Sequence, residues 1–376
     1  GRLNYTYKDK YLIEGLFRYD GSYLFPKNNR FGFFPGVSAG WVVSEESFFQ
    51  KALPFINFFK LRGSWGQLGN DNVEPFQYIS TYELSQTGLG PVYTTAYESK
   101  VANPDISWET ATSRNAGLDL RTWNNKLTLG LDVYKNSRTD ILTTPLKTLP
   151  EYSGIAAPAI NIGEFENSGY EITLGLNGAN DSGFSYNLTF NFSDSNNKLV
   201  FFDEPDLDDR PWQRETGGEI GRPLLYKFDG VFRTQAEIDS ESLDYSGVTP
   251  LLKPGDARVV DVSGDGKIGP EDKTRVGGSA FADTQFGWNT AINYKNLDFN
   301  MYWTGSAGGY NTYEWSFMSG TLANVQRDVR DRAWSLDNPD AYGPRLADRG
   351  DQWYSGQTDA YLITRDFFRL KTLEFG

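Results

Sequence analysis

Leu127, Leu129, Leu131 and Val133 alternate with Thr128, Gly130, Asp132 and Tyr134. The same pattern returns at Phe184, Tyr186, Leu188, Phe190 and Phe192, and again at Phe286, Trp288, Ile292 and Tyr294. A period of two sends successive side chains to opposite faces of a strand. One face is apolar and aromatic; the other is small, polar or charged. Two architectures produce this pattern. A sandwich keeps the apolar face inside and water outside. A transmembrane barrel reverses the arrangement, with lipid outside and a wet lumen.

Composition narrows the choice without making it. Hydrophobic residues are 39% of the 376, and mean hydropathy is -0.52. No run approaches the ~18 consecutive apolar residues of a membrane-crossing helix. A barrel stays open, because half of each strand faces water. Aromatic residues are 15% of the chain, which suits interfacial girdles or a carbohydrate-binding surface. Cysteine and histidine are both absent. Their absence removes zinc-thiolate sites, cysteine nucleophiles and Ser-His-Asp triads. A formal charge of -13 argues against a nucleic-acid partner.

Eleven strands are expected, near 2–8, 10–20, 31–43, 58–68, 111–120, 126–136, 168–178, 183–194, 285–295, 297–305 and 366–375. Short links fall near 8–10, 121–125, 179–182 and 295–296, and long ones near 21–30, 69–110, 137–167, 195–284 and 306–365. They alternate, with one intermediate link at 44–57. In an antiparallel meander, alternate links lie at the same end. One end therefore carries tight turns and the other long loops, the asymmetry of outer-membrane barrels. A sandwich has no reason to sort its loops this way. The chain is accordingly read as 1–376 of a single barrel domain, an internal piece of a longer protein.

Residues 178–183 and Trp123-Asn-Asn125 tolerate left-handed backbone, and Lys295-Asn296 suits a hairpin loop. In the 44–57 link, Ser44 is expected to cap a short helix. The acidic cluster Asp203-Glu-Pro-Asp-Leu-Asp-Asp209 reads as a solvated loop. Trp212, Tyr226, Trp315, Trp334, Trp353 and Tyr354 either stack on sugars or a partner, or form small cores of the loops themselves.

One segment has ligand spacing. Asp261-Val-Ser-Gly-Asp-Gly-Lys-Ile-Gly-Pro-Glu-Asp272 follows the twelve-residue calcium loop. Asp261, Ser263 and Asp265 stand at positions 1, 3 and 5. Lys267 would offer its carbonyl, and Asp272 closes the loop. Serine replaces the usual Asp or Asn, and Asp272 reaches less far than glutamate. The alternative is an Asp/Gly-rich turn held by its own hydrogen bonds. Any calcium there would be structural. No catalytic residue is expected. Glu164 and Glu166 are close in sequence, but nothing places them around a cleavable bond. Two rivals to the barrel are a secreted carbohydrate-binding β-sandwich and a β-rich glycoside hydrolase.

A series of short motifs then carries a resemblance. Gly1-Arg-Leu-Asn-Tyr-Thr-Tyr-Lys-Asp-Lys-Tyr-Leu12 is followed by Phe17-Arg-Tyr-Asp-Gly-Ser22, Phe34-Pro-Gly-Val-Ser-Ala-Gly-Trp41 and Glu46-Ser-Phe48. Next come Leu61-Arg-Gly-Ser-Trp-Gly66, Gly69-Asn70, Asn103-Pro-Asp-Ile-Ser-Trp-Glu109 and Asn167-Ser-Gly-Tyr-Glu171. Asp261 to Ile268 and Phe368-Arg-Leu-Lys371 end the series. In this order they resemble the SusC/RagA family of TonB-dependent outer-membrane transporters of Bacteroidota. The resemblance implies a 22-stranded barrel with an N-terminal plug, of which this chain is the central and C-terminal wall. It implies import of glycan oligosaccharides or peptides beneath a SusD-like surface lipoprotein acting as a lid. Energy would come through the TonB complex, contacted by an N-terminal region this chain does not contain. The plug and the final strand are likewise expected to lie outside the chain. Lipid would surround the wall in the outer membrane, and Glu14, Arg18, Asn187 and Asn191 would face its lumen. No substrate-binding residue is carried over.

Overall fold

The computed structural model describes residues 1–87, 93–147, 157–312, 325–346 and 354–376. Eleven strands form one antiparallel sheet. They are β1 (Arg2–Tyr7), β2 (Tyr11–Gly21), β3 (Phe31–Val42), β4 (Ile56–Asn70), β5 (Glu109–Thr122) and β6 (Leu127–Thr143). They continue as β7 (Ile160–Ala179), β8 (Phe184–Phe201), β9 (Thr284–Tyr294), β10 (Leu297–Ala307) and β11 (Phe367–Phe375). Each pairs only with its neighbours along the chain, and β1 and β11 are not bonded to each other. The sheet is an open all-β meander, as part of a barrel wall must be.

Register turns the period-two pattern into two surfaces. Leu120, Leu129, Leu174, Phe190, Trp288, Trp303 and Leu370 stand opposite one another across seven consecutive strands. One step along, the row reads Asp119, Gly130, Thr173, Asn191, Gly287, Thr304 and Arg369. The apolar row has no second layer on it. Val133 is 49% exposed and Trp288 46%. The remaining sheets among the described residues are four two-stranded pairs in the loops. The sandwich alternative is therefore wrong: no sheet packs on the apolar face. Apolar area of this extent is stable only against lipid.

The strands run past the expected limits, mostly at the loop end. Strand β6 has 17 residues and β7 has 20. Apolar alternation marks only the lipid-spanning stretch, whereas backbone pairing continues into water. Polar cross-strand contacts hold the extensions, such as Lys135 Nζ to Glu166 at 2.9 Å and Ser137 Oγ to the same carboxylate at 3.4 Å.

The tight turns have the expected backbone. Trp123, Asn124 and Asn125 have φ of 54°, 55° and 62°, and Lys295 has 55°. Lys8 and Asp9 make a similar turn between β1 and β2. The helix in the intermediate link is present but starts later, at Ser47–Ala52. Ser44 does not cap it: its hydroxyl is buried without a hydrogen-bond partner. The capping position falls to Glu46, whose carboxylate is engaged elsewhere. It accepts from Tyr11 Oη at 2.7 Å, Lys10 Nζ at 3.0 Å and Trp41 Nε1 at 3.3 Å.

That cluster belongs to an aromatic rim. Tyr7, Tyr11 and Trp41 stack in a ladder with 6.4 Å between successive rings. At the other end of β2, Tyr19 stacks on Phe31 at 5.3 Å. Tyr11 and Tyr19 are eight residues apart. At ~3.3 Å per residue and a tilt of about 40°, this separates the two rims by about 20 Å, near the height of an apolar band.

The facing predicts an asymmetric response to charge. Leu129→Arg should cost the full-length receptor about 2–4 kcal/mol, while Thr189→Arg on the opposite face costs under about 1 kcal/mol. Urea unfolding in phospholipid vesicles measures both. Equal losses at the two sites would refute the assignment of faces.

Candidate functional site: the inner wall and the loop unit

The polar face is ordered by charge pairs. Arg62 on β4 reaches across β5 to grip both carboxylate oxygens of Asp132 on β6, each at 2.5 Å. Its Nε donates to Asp119 at 3.2 Å. A two-pronged guanidinium–carboxylate contact fixes both planes, so three strands are tied together. Glycine at 117, between Arg62 and Asp132 in register, makes room: a Cβ there would meet Arg62 Cζ at 2.7 Å. The residues expected on this face lie on it. Glu14 pairs with Arg2 at 2.6 Å and Arg18 with Asp20 at 3.0 Å. Asn187 stands opposite Asn177, and Asn191 accepts from Thr173 Oγ1 at 3.2 Å.

Several grooves open on the wall, and two of them reach the loop ends. One, of about 830 Å³, is lined by Glu171, Thr173, Asn191, Gln285, Tyr302 and Arg365, with Phe281 beside them. It offers donors and acceptors in a row, with one aromatic ring. The other, of about 780 Å³, combines Leu68, Phe165, Leu199 and Phe202 with Arg138 and Glu164. Sequence reasoning missed both, because each draws single residues from several strands and from loop ends. Only the polar phase of each strand pointed to them. Glu166 is held by Lys135 Nζ at 2.9 Å.

Above the wall, the long loops build a unit with a core of its own. Tyr226, Phe232, Tyr245, Val259, Ile268 and Tyr354 are buried together, and Trp334 packs with Val231 and Ala341. Tyr354 Oη donates to the Ala257 carbonyl at 2.7 Å. Burial pushes the Tyr245 phenol up to about 12. Tyr226 also rises to about 12, by burial first and then by the charges of Asp272 and Glu271. Two distant loops are joined by Arg345 Nε to the buried Asp256, 2.7 Å. Phe228 N donating to Asp359 Oδ1 at 2.8 Å joins them again. Tyr226, Trp334 and Tyr354 are therefore core residues of the loops and not exposed platforms. Trp212 is half-buried, and its Nε1 donates to the Glu271 carbonyl at 2.8 Å. Trp315 and Trp353 lie outside the described residues. The acidic cluster is a solvated loop whose charges meet nearby basic groups, such as Asp208 with Arg214 at 2.8 Å.

The segment with calcium spacing lies at the edge of this core. Asp261 accepts from the amides of Gly264 (2.6 Å) and Gly266 (2.9 Å) and from Ser263 Oγ (3.1 Å). Burial opposes its ionisation, but these bonds outweigh burial and hold the carboxyl below the usual range. Asp272 is fully buried. It accepts from the amides of Val262 and Ser263 at 3.0 Å and Gly269 at 2.8 Å. Asp265 accepts from the Lys267 amide at 2.8 Å. Gly266, at φ 81°, makes the bend. Among the described residues no three acidic side chains gather around one metal-sized space. As placed, Asp261, Asp265 and Asp272 accept from backbone amides of the same segment, and Ser263 donates to Asp261.

Known proteins share this architecture. A family profile described as "TonB dependent receptor-like, beta-barrel" matches residues 1–311. TonB-dependent receptor P3 of Formosa agariphila is 31% identical over 100% of this chain and 38% of its own length. TonB-dependent receptor SusC of Bacteroides thetaiotaomicron is 30% identical over 100% of this chain and 37% of its own. The chain thus spans under two fifths of the length of these relatives. A solved structure of the RagAB peptide transporter superposes with a TM-score of 0.75 at 20% identity, over 100% of this chain and 40% of that one. That likeness concerns the fold. With its outward apolar rows, polar inner face and long loops gathered mainly at one end, the chain belongs to the TonB-dependent receptor β-barrel family.

Proposed function

We propose that this chain forms part of the wall and mouth of a SusC-like importer of glycan oligosaccharides or peptides in the outer membrane. The observation that carries the reading is the sidedness of the sheet: one continuous apolar face, one polar face with grooves, and the long loops gathered at one end, with the Val43–Phe55 link as the exception at the other. A solute moving along the inner wall meets hydroxyls, amides and paired charges, which exchange hydrogen bonds with it at little cost. The loop unit, rigid through its own core, is the surface that would meet a SusD-like lipoprotein lid. TonB would supply energy through segments outside this chain. The names of SusC and of the RagAB peptide transporter support this reading.

The test obstructs the path without touching the lipid face. Thr173 lines the larger groove and is solvent-exposed. Thr173→Trp in the full-length receptor should slow uptake several-fold in cells that depend on it for a labelled oligosaccharide or peptide, with surface receptor unchanged. Undiminished uptake would remove the groove from the path.

For the loop 261–272 we propose a structural role, as a clasp closing the loop core, with calcium as an additional occupant resting on the spacing alone. Hydrogen bonds to its charged form depress Asp261. Its contribution is therefore present above the unfolded value, about 3.9, and is lost as pH falls through the lower folded value. Protection of the Gly264 and Gly266 amides, taken relative to their intrinsic exchange rates at the same pH, should fall as pH drops below about 3.9. Asp272→Asn leaves buried amides short of an acceptor and should cost about 1–3 kcal/mol of local stability. Calcium titration of the receptor decides occupancy. One saturable site abolished by Asp265→Ala would establish it, and an unchanged exchange pattern on calcium addition would leave the turn self-sufficient.

A further inference from the structure

The link from Val43 to Phe55 differs from the other connections of the tight-turn end, which take only a few residues each. Its path is fixed. Phe49 stacks on Phe59 at 5.6 Å, and Phe59 stands opposite Leu120 in the outward apolar row. The helix Ser47–Ala52 therefore lies on the outer side of the wall, beside the rim where Glu46 gathers Tyr11 and Trp41. Its uncovered surface is mixed: Glu45, Ser47, Gln50 and Lys51 are exposed together with large apolar side chains. Phe48 is 60% exposed, Phe55 50% and Trp123 57%. The Phe55 carbonyl accepts from Trp123 N at 3.0 Å, which brings the two residues together at the backbone. Lys126, like Lys51, is exposed.

We propose that this link is a lipid foot: a short helix embedded in the phospholipid headgroup layer of the leaflet at the tight-turn end. The inference rests on the outward face being the lipid face, and it extends that face by one element. The patch is continuous with the belt through Phe49 and Phe59, so the solvent that covers the belt reaches it. Its composition suits that depth. Tryptophan and tyrosine favour the headgroup level, and a partly apolar helix with lysines lies in the interface plane. At that depth the exposed Lys51 and Lys126 would place their ammonium groups among the lipid phosphates. At two other turns of this end a lysine lies over an aromatic ring, Lys8 on Tyr7 (5.3 Å) and Lys295 on Tyr294 (5.2 Å).

The absence of cysteine from the chain makes the test direct. In the full-length receptor, with any other cysteines replaced, nitroxide labels are attached to Phe48→Cys, Leu129→Cys and Ser182→Cys. The proteins are placed in vesicles of phosphatidylethanolamine and phosphatidylglycerol. Collision with oxygen and with a water-soluble nickel chelate reports depth. The label at 48 should show an oxygen-to-nickel ratio above that at 182 and below that at 129. A ratio equal to that at 182 overturns the foot alone. Shielding of 48 from both reagents also overturns it, because the patch then faces protein. A water-like label at 129 overturns the underlying barrel reading. Phe55→Cys serves as an independent position with the same expected ordering.

Discussion

Within hydrocarbon a backbone amide or carbonyl finds no water, and every such group must be bonded inside the protein. That constraint organises this chain. A strand can satisfy its groups only sideways, through two neighbours, and the simplest route is a meander in which each strand pairs with the ones before and after. All eleven strands follow it. With the backbone bonded in the sheet plane, the side chains are free to serve two solvents. Leucine and aromatic rows face lipid, and the opposite row holds Arg62, Asp119, Asp132 and Glu171. A charge cluster of this kind is compatible with a membrane-spanning wall only because it faces away from lipid.

The same chain builds a second kind of stability where the wall ends. The loop unit is assembled as a water-soluble domain is, around buried aromatic residues whose polar ends are satisfied. Tyr354 bonds the Ala257 carbonyl, and Asp256 is matched by Arg345. These two systems do not compete, because they bury different surfaces. Charge and acidity can accumulate in the loops without loosening the wall.

The wall was legible in the sequence because period two, turn residues and link lengths are local signals that agree. Leu127 to Val133 show the outward phase, and Trp123-Asn-Asn125 shows the turn. The extensions of β6 and β7 beyond the belt were not legible, since polar residues such as Lys135 and Glu166 pair across strands without any alternation to announce it. Ser44 is a sound capping residue by type, yet the competing pull of Tyr11, Lys10 and Trp41 on Glu46 sets where the helix starts. Grooves that take Glu171 from one strand, Tyr302 from another and Arg365 from a loop have no local signature. The ligand spacing of Asp261 to Asp272 was visible, but spacing alone does not say whether carboxylates turn toward an ion or toward amides. In this fold they accept from amides.

The two ends of the wall divide the task of holding its depth. At the loop end the strands continue into water, with ion pairs such as Lys135–Glu166 beyond the apolar rows. Sinking the wall in that direction would drag paired charges into hydrocarbon, a steep cost. At the opposite end the strands stop at the rim, and the Tyr7–Tyr11–Trp41 ladder with its Glu46 anchor marks the boundary. Moving the wall the other way would pull these rings and the Phe48 patch out of the interface they suit. Each end resists one direction of travel. The apolar band between them then needs no closer match to bilayer thickness than the rims already impose, and the inner face can vary in sequence while the wall keeps its place.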